Sequence, residues 1–430
     1  MPRASGLPLV GSLPRMLWHQ FEFLERSFGD KGRIFELDLG VTRAVVVADL
    51  GAAEEVLVSK ARSFDKGGDF WDGLREVLGG GLPVSEGTQW RRQRRLMQPQ
   101  FGRRALAGYE QTVVQTVHKA LHTFPVGRPV DVEKWCDLLL AEVTVRVLFG
   151  TDLDDSRIDE LREGMAGLFD ALLGGIVTRR LPRWLPVPGR GTLEAGRRLV
   201  DRTVTALIDE RRRRPGASDD LLGRLLRATD ELGEMSDRQL LDEAVTIYIA
   251  GYETTGKALA WTLWLLATHP RICAEIQRQL DDDDGSLLKA CVHEGLRLYP
   301  PSPLVPRRTV VDEVIGGFDV AAGTHVLVCP WLIHRDPELW PCPETFDPGR
   351  FLDDGHSRKR SRLAWIPFGV GQRQCIGKSL ALVELDRALQ TILRRFTPRV
   401  SASMPRPTPR LSATLGASRG IFVALHPRAG

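Results

Sequence analysis

The sequence predicts a mainly α-helical protein with a smaller β portion (α+β), and three observations lead to this class. From Trp90 to about His269, apolar residues recur with the i, i+3, i+4 spacing of amphipathic helices. Two regions, RIFELDLGVTRAVVVADL near the start and DEVIGGFDVAAGTHVLVCP from Asp312, instead predict β-hairpins. No internal repeat and no obvious interdomain linker divides the chain. We therefore expect a single domain over residues 1–430.

Composition narrows the classes of function. With 430 residues the chain can bury a sizeable core, and its net charge of +4 gives no argument for a nucleic-acid partner. No run of 18 apolar residues occurs, and the opening MPRASGLPLVGSLPRM lacks the apolar core of a signal peptide. We expect a soluble cytoplasmic protein without a membrane anchor. The six cysteines show no C-x-x-C pair and no zinc spacing, so a disulfide framework is not expected.

The segment FGVGQRQCIG holds one cysteine, Cys375, in an unusual setting. Five apolar residues after it fall on one face at helical spacing and predict a helix there. They are Leu382, Leu385, Leu389, Ile392 and Phe396. Cys375 is therefore expected at or just before a helix N-terminus, where unpaired N–H groups and the nearby Arg373 favour a thiolate. Such a thiolate serves as a ligand or as a nucleophile, and no His that would act as a base lies close in sequence.

Glycines surround this cysteine in the sequence. Gly369, Gly371 and Gly377 allow backbone turns that side chains forbid, and they let the loop approach a flat, bulky group. The pattern F-x-x-G-x-R-x-C-x-G resembles the haem-ligand loop of the cytochrome P450 superfamily. Its matching residues are Phe368, Gly371, Arg373, Cys375 and Gly377.

The resemblance implies that Cys375 is the axial thiolate ligand of the iron in haem b, with Phe368, Gly369 and Gly377 against the cofactor. A thiolate ligand donates electron density to iron and favours cleavage of the O–O bond. The implied fold is the P450 triangular prism, with haem between a long central helix and the helix after the Cys loop.

The stretch AGYETT lies inside the long helical segment that begins near Ser236 and runs to about His269. Gly251 removes a side chain, and the hydroxyl of Thr254 can bond back to the carbonyl of Ala250. Together these features predict a loosened helix with a groove for oxygen and water. In the family that it resembles, an acid–alcohol pair at this place, here Glu253 and Thr254, relays protons, and Ala250 lies against the cofactor.

Two further sets of residues continue the resemblance. Glu294 and Arg297 form an E-x-x-R pair, and Arg350 in FDPGRF supplies the implied third member of a structural triad; Gly349 stands where the family usually has Glu. The residues implied to hold the haem propionates are Trp90, Arg94, Arg373 and either Arg307 or its neighbour Arg308. Guanidinium groups suit this task because they match a carboxylate bidentately.

The resemblance implies a monooxygenase that inserts one oxygen atom from O2 into a hydrophobic small molecule, by hydroxylation or epoxidation. The largely apolar variable stretches suggest a terpenoid or polyketide-type product of secondary metabolism. Candidate substrate contacts are Phe70, Phe169, Leu172, Tyr248, Leu304 and Leu415. The alternatives are a haem-thiolate oxidase that couples or rearranges rings, and a haem-binding sensor without turnover.

No flavin or nicotinamide domain is fused to the chain. Electrons are therefore expected from a separate ferredoxin or flavodoxin with its NAD(P)H reductase. These partners are typically acidic, and basic residues near the Cys loop form a possible docking patch. Its members are Arg91, Arg92, Arg95, Arg358, Lys359, Arg360 and Arg362.

Overall fold

The computed structural model describes residues 1–7, 11–40, 42–150, 156–157, 159–161, 163–164, 190–213, 220–352 and 360–428. Helices dominate these ranges, as the sequence predicts. The helices are α1 (Leu13–Trp18), α2 (Gln20–Lys31), α3 (Leu50–Glu54), α4 (Asp69–Leu78), α5 (Gly87–Met97), α6 (Arg103–His122), α7 (Val132–Phe149), α8 (Arg190–Arg213), α9 (Leu221–Leu226), α10 (Asp237–Thr268), α11 (Pro270–Asp281), α12 (Ser286–Leu298), α13 (Pro330–Ile333) and α14 (Lys378–Leu393). A π-helical turn spans Glu55–Ser59, and 3-10 turns span Ala61–Ser63, Gln98–Phe101, Pro348–Phe351, Arg362–Ala364 and Gly371–Arg373.

The strands are short. They are β1 (Ile34–Asp38), β2 (Arg43–Val47), β3 (Phe64–Asp65), β4 (Pro129–Asp131), β5 (Thr229–Asp230), β6 (Gly233–Glu234), β7 (Val305–Thr309), β8 (Glu313–Ile315), β9 (Phe318–Val320), β10 (His325–Val328), β11 (Phe396–Arg399), β12 (Pro409–Leu411), β13 (Leu415–Ala417) and β14 (Phe422–Pro427). The main sheet has the order β1-β2-β10-β7-β3, and a second sheet has the order β11-β14-β4. Three two-stranded ribbons, β5-β6, β8-β9 and β12-β13, complete the β portion of the described residues.

The first predicted hairpin is confirmed, because β1 and β2 pair antiparallel from Ile34 opposite Val47 to Asp38 opposite Arg43. The second prediction is correct only for its first half. Strands β8 and β9 form a hairpin, but β10 leaves it and pairs parallel with β2 and antiparallel with β7. The alternating pattern of β10 indicated a strand, but could not identify the distant strand that covers its edge.

Helix α10 is the long central helix that the sequence predicts. Its 32 residues follow an N-cap at Ser236, whose side chain accepts a hydrogen bond from the backbone N–H of Gln239. At 1.5 Å per residue it extends for about 48 Å. It packs along α7 and also contacts α8, α12 and α14; most of its residues are buried, and its buried apolar side chains belong to the larger of two apolar clusters. The second cluster lies around the main sheet.

Two local predictions about helices need correction. The helix is not loosened at Gly251, because α10 runs there without a break; a Cβ added at Gly251 would lie 3.2 Å from Cγ2 of Thr144, so the glycine allows close packing against α7. Helix α14 ends at Leu393, and Phe396 belongs to β11. Pro398 follows closely and cannot continue a helix. Among the described residues, no helix combines the length and apolar character that crossing a membrane requires.

Candidate active site

The loop before α14 presents Cys375. Its backbone N–H donates a 2.9 Å hydrogen bond to the carbonyl of Phe368, which closes the loop. Gly369 and Gly371 have φ angles of 66° and 75°, a region that L side chains rarely adopt. A Cβ on Gly371 would also lie 2.3 Å from the carbonyl oxygen of Leu57. The loop therefore requires glycine at position 371 to place the cysteine where it lies.

Opposing influences act on the Cys375 thiol. Desolvation by the surrounding protein is the largest and raises its pKa, while N–H groups of Gly377 and Lys378 and the charge of Arg94 act to lower the pKa. Arg94 is held beside the loop by a 2.8 Å hydrogen bond to the carbonyl of Gln374. Neighbouring protein desolvates the Cys375 thiol, but the residue still has exposed surface. Cys375 therefore borders open space inside the molecule. A coordinating metal ion would deprotonate a thiol placed in this way.

Helix α10 borders open space on the side that carries Ala250 and Thr254. Ala250 is exposed in the middle of this otherwise buried helix, and Thr254 is half-buried. The Thr254 hydroxyl donates a 2.7 Å hydrogen bond to the Ala250 carbonyl, as the sequence predicts. Because α10 packs against α14, the exposure of Ala250 and of Cys375 indicates an internal cavity between the two elements.

Glu253 lies on a different side of α10, where it is buried. Its Oε1 accepts a 2.7 Å hydrogen bond from the hydroxyl of Thr414. Desolvation is the largest influence and raises the pKa of Glu253 to about 7, while the Thr414 bond and the charge of Lys257 oppose it. Lys257 is itself paired with Glu133 at 2.8 Å and with Asp137 at 2.7 Å. A carboxyl group with a pKa near neutrality is suited to accept and release protons.

A cluster of cations lies beside the Cys loop. Arg373 donates a 2.9 Å hydrogen bond to the Ser85 carbonyl, pairs with the Glu86 carboxylate, and lies 3.9 Å from the ring centroid of Trp90. Arg307 is buried and donates to the carbonyl of Pro306. Desolvation, and secondarily the charge of Arg373, lower the pKa of Arg307 to about 10.

Lys66 is a further buried member of this cluster. Its Nζ donates to the carbonyl of Pro83, and desolvation followed by the charges of Arg307 and Arg373 lowers its pKa well below the usual range. Arg308 points elsewhere, since it forms a 2.7 Å ion pair with Asp65. The geometry therefore distinguishes Arg307 from Arg308, which the sequence could not do.

The family model described as Cytochrome P450 matches residues 1–423 of this chain. The chain belongs to the cytochrome P450 family. It is 35% identical over 410 residues to cyclooctat-9-en-7-ol 5-monooxygenase of Streptomyces melanosporofaciens, covering 91% of this chain and 88% of that protein. It is 31% identical over 408 residues to pentalenene oxygenase of Streptomyces avermitilis, covering 91% and 89%.

Solved structures agree with this P450 assignment. The crystal structure of the cytochrome P450DA heme domain matches with a TM-score of 0.89 and 25% identity, covering 100% of this chain and 98% of that one. The retinoic acid-bound cyanobacterial CYP120A1 matches with a TM-score of 0.86 and 24% identity, covering 99% of both chains. This P450 is a haem-thiolate monooxygenase that acts on a small molecule with O2, electrons from a redox partner and haem b as cofactor.

The residues of this P450 fit haem b. Cys375 and Ala250 are both exposed although the elements that carry them pack together, and Ala250 carries only a methyl group, which leaves room for a flat ring system. Desolvation and neighbouring positive charge lower the pKa of Lys66, Arg307 and Arg373, and the carboxylates of two propionates would stabilise their charged forms. Buried charges are usually paired, and this donor set suits carboxylates.

The structural triad expected from the sequence comes together in the buried interior. Arg297 donates to both carboxylate oxygens of Glu294 at 2.7 and 2.8 Å, and both side chains are completely buried. Arg350 lies 3.4 Å from the same carboxylate. Arg297 also donates to the carbonyls of His334 and Thr345, so the triad joins α12 to the segment that leads towards the Cys loop.

The substrate candidates are dispersed. Phe70 is exposed beside Trp71, Leu304 is half-buried, and Tyr248 packs against Tyr252. Leu415 is completely buried in the cluster around the main sheet, so its side chain does not border open space. Phe169 and Leu172 lie outside the described residues. Two surface clefts of about 380 Å³ and about 500 Å³ contain none of the four candidates that lie in the described ranges.

Sequence reasoning missed four polar residues near the site. Lys66 and Glu86 belong to the cation cluster, and Thr414 forms a hydrogen bond with Glu253. The fourth is Glu384 on α14, which is buried and bonded to Thr255; desolvation raises its pKa to about 8. Only Glu86 carried a local signal, because it immediately precedes the helix that bears Trp90 and Arg94. The others depend on contacts between segments that are distant in sequence.

Proposed function

We propose that this P450 hydroxylates or epoxidises an apolar terpenoid-type molecule of secondary metabolism, with Cys375 as the haem ligand. The single observation that carries the site assignment is the exposure of Cys375 and of Ala250 on two elements that otherwise pack together. The substrate class is supported by the printed names of the relatives, a cyclooctat-9-en-7-ol monooxygenase and a pentalenene oxygenase. When bound, haem b supplies O2 activation and oxygen transfer, which no side chain can perform.

The chain's own residues supply binding and protons. Phe368, Gly369 and Gly377 shape the loop that carries the thiolate, and N–H groups directed at the sulfur temper its basicity. Arg307 and Arg373 would hold the propionates of bound haem by charge-assisted hydrogen bonds.

Trp90 and Arg94 complete that side of the site. Trp90 fixes the Arg373 guanidinium by stacking, and Arg94 holds the loop through the Gln374 carbonyl. Lys66 adds a further donor.

Glu253 and Thr254 form the proposed proton path. The Thr254 hydroxyl borders the cavity, and Glu253 has a pKa of about 7 that lets its carboxyl hold a proton or give it up at neutral pH. For Glu253 to reach the cavity, its bond to Thr414 must open. The Thr254 hydroxyl, which donates to the Ala250 carbonyl, would have to release that bond to pass a proton into the open space that it borders.

Electron supply requires a separate ferredoxin or flavodoxin with its reductase. In the proposed docking patch, Arg92 and Arg95 are already paired with Asp230, and Arg360 stacks on Trp340. Arg91 and Arg362 are exposed and remain candidates, while Arg358 and Lys359 lie outside the described residues. Replacing Arg91 and Arg362 with Gln should slow reduction by an acidic ferredoxin at low salt and leave substrate binding unchanged; equal rates would contradict this role.

The experiment that tests the function is turnover with a panel of apolar terpenoids, a ferredoxin and its reductase. We expect oxygenated product in proportion to the reductant consumed, and about 10²-fold less product with Thr254→Ala. A sensor would bind without product, and an oxidase would yield coupled or rearranged product without added oxygen. The cytoplasmic location, the single domain over residues 1–430 and the absence of a nucleic-acid partner stay predictions.

A further inference from the structure

Glu86 is the carboxylate within the cation cluster. Its Oε2 accepts a hydrogen bond from Nη2 of Arg373, and its Oε1 accepts one of 3.2 Å from the backbone N–H of Lys66. The Glu86 side chain is 39% exposed and that of Arg373 is 16% exposed, so the carboxylate reaches solvent while the guanidinium is mostly covered. Glu86 thereby connects α5, the Cys loop and the segment after β3.

The Arg373 guanidinium is held from three directions. Glu86 and the Ser85 carbonyl each accept one of its N–H groups, and the ring of Trp90 lies under its face. A guanidinium carries five N–H donors in a fixed plane. These two bonds therefore orient the plane and leave donors for an acceptor on the remaining edge.

Glu86 also balances charge. Its negative charge acts to raise the pKa of Lys66, of Arg307 and of Arg373, against the desolvation that lowers these values. The three cations otherwise repel one another. Replacing this carboxylate with a neutral group of the same shape would leave the cluster with one more net positive charge.

We propose that Glu86 is a positioning residue that orients Arg373 towards a haem propionate and, by its negative charge, keeps the reduction potential of the haem iron low. The proposal rests on the proposed haem site. It follows from simple electrostatics, because removing a negative charge near a redox centre favours the reduced, more electron-rich state.

The test is a redox titration of purified, haem-loaded protein, in which dithionite supplies the single electron that converts ferric to ferrous haem. Glu86→Gln should shift the midpoint potential to a more positive value. The matched control is Glu275→Gln, which removes another arginine-paired carboxylate, 2.6 Å from Arg278 on the exposed face of α11. A shift with Glu86→Gln no larger than that of the control would overturn the proposal.

Glu86→Asp separates positioning from charge. It keeps the negative charge but is one methylene shorter, so the potential should stay near that of the wild type while haem transfers to apomyoglobin several-fold faster. An unchanged rate of haem transfer from Glu86→Asp would overturn the positioning role. This comparison still decides the question if Glu86→Gln fails to load haem. The ferrous–carbon monoxide spectrum of the wild type is recorded in parallel; absence of the thiolate band there would refute the proposed function instead.

Discussion

The hydroxyl of Thr414 donates a 2.7 Å hydrogen bond to the carboxylate of Glu253. Thr414 lies at the turn between β12 and β13, and Glu253 lies in the middle of α10. The ribbon formed by these two strands is also hydrogen-bonded to α7, because the N–H of Ala417 donates to the Glu133 carboxylate. The position of the ribbon and the state of the proposed proton donor are therefore linked.

Glu253→Gln should change how stability depends on pH. The folded protein holds the Glu253 proton up to a pKa of about 7, above the ordinary value of 4.5, because burial disfavours the charged form. As pH rises through this window the unfolded chain ionises first, so the carboxyl progressively destabilises the fold. Relative to wild type, the variant should gain about 1–3 kcal/mol in free energy of unfolding between about pH 4.5 and about pH 8, measured by urea denaturation.

A matched control for this experiment is Glu243→Gln. Glu243 is another buried carboxyl with a pKa raised by desolvation to about 8, and it accepts a hydrogen bond from the Leu82 N–H, away from Thr414. Both variants should gain stability at high pH, but only Glu253→Gln should also depress turnover. If the free energy of unfolding changed with pH in the same way for wild type and Glu253→Gln, this result would contradict a buried, protonated Glu253.

Thr414→Val should raise the pKa of Glu253 further, because it removes the hydroxyl that stabilises the carboxylate. The limb of the pH–turnover profile that belongs to Glu253 should move to higher pH. Thr414→Ser retains a hydroxyl and should return the limb towards its wild-type position. Identical pH–turnover profiles for Thr414→Val and Thr414→Ser would show that the hydrogen bond has no influence on the pKa of Glu253.

Arg307→Ala and Arg308→Ala should have different effects on haem retention. Arg307 is buried beside Arg373, whereas Arg308 is paired with Asp65. We expect about tenfold faster haem loss, or more, from Arg307→Ala, because a charge-assisted hydrogen bond contributes about 1.5–3 kcal/mol. Arg308→Ala should lose haem at nearly the wild-type rate, and the reverse order would assign the propionate to Arg308.

Arg297→Ala should destabilise the fold by about 3–5 kcal/mol, because it leaves the fully buried Glu294 without its partner. Arg278→Ala breaks an exposed pair with Glu275 of the same i, i+3 spacing and should cost at most about 1 kcal/mol. Urea denaturation of the two variants measures the difference. Equal losses would exclude a structural role for the triad.

Local sequence patterns predicted the parts of the fold and site that depend on neighbouring residues. The cap at Ser236, the extent of α10 and the bond from Thr254 to Ala250 all follow from residues within a few positions of one another. The Cys loop followed in the same way, because its glycines and its helix are contiguous.

Contacts between distant segments could not be predicted in this way. Strand β10 pairs with β2, which lies far away in the sequence. The hydroxyl that donates to Glu253 belongs to Thr414, 161 residues away. The packing role of Gly251 likewise depends on the approach of Thr144 from α7. Lys66 belongs to no motif, and its burial among cations emerges only when α5, β7 and the Cys loop meet.

The most direct test of the account is the carbon monoxide spectrum of the reduced, haem-loaded protein. Because Cys375 is exposed in the loop before α14, we expect the red-shifted band of a thiolate adduct in the wild type and its loss in Cys375→Ala. Cys342→Ala, which removes the other exposed cysteine, serves as the control and should retain the band. A wild-type spectrum without this band, or a Cys375→Ala spectrum that keeps it, would contradict the central claim.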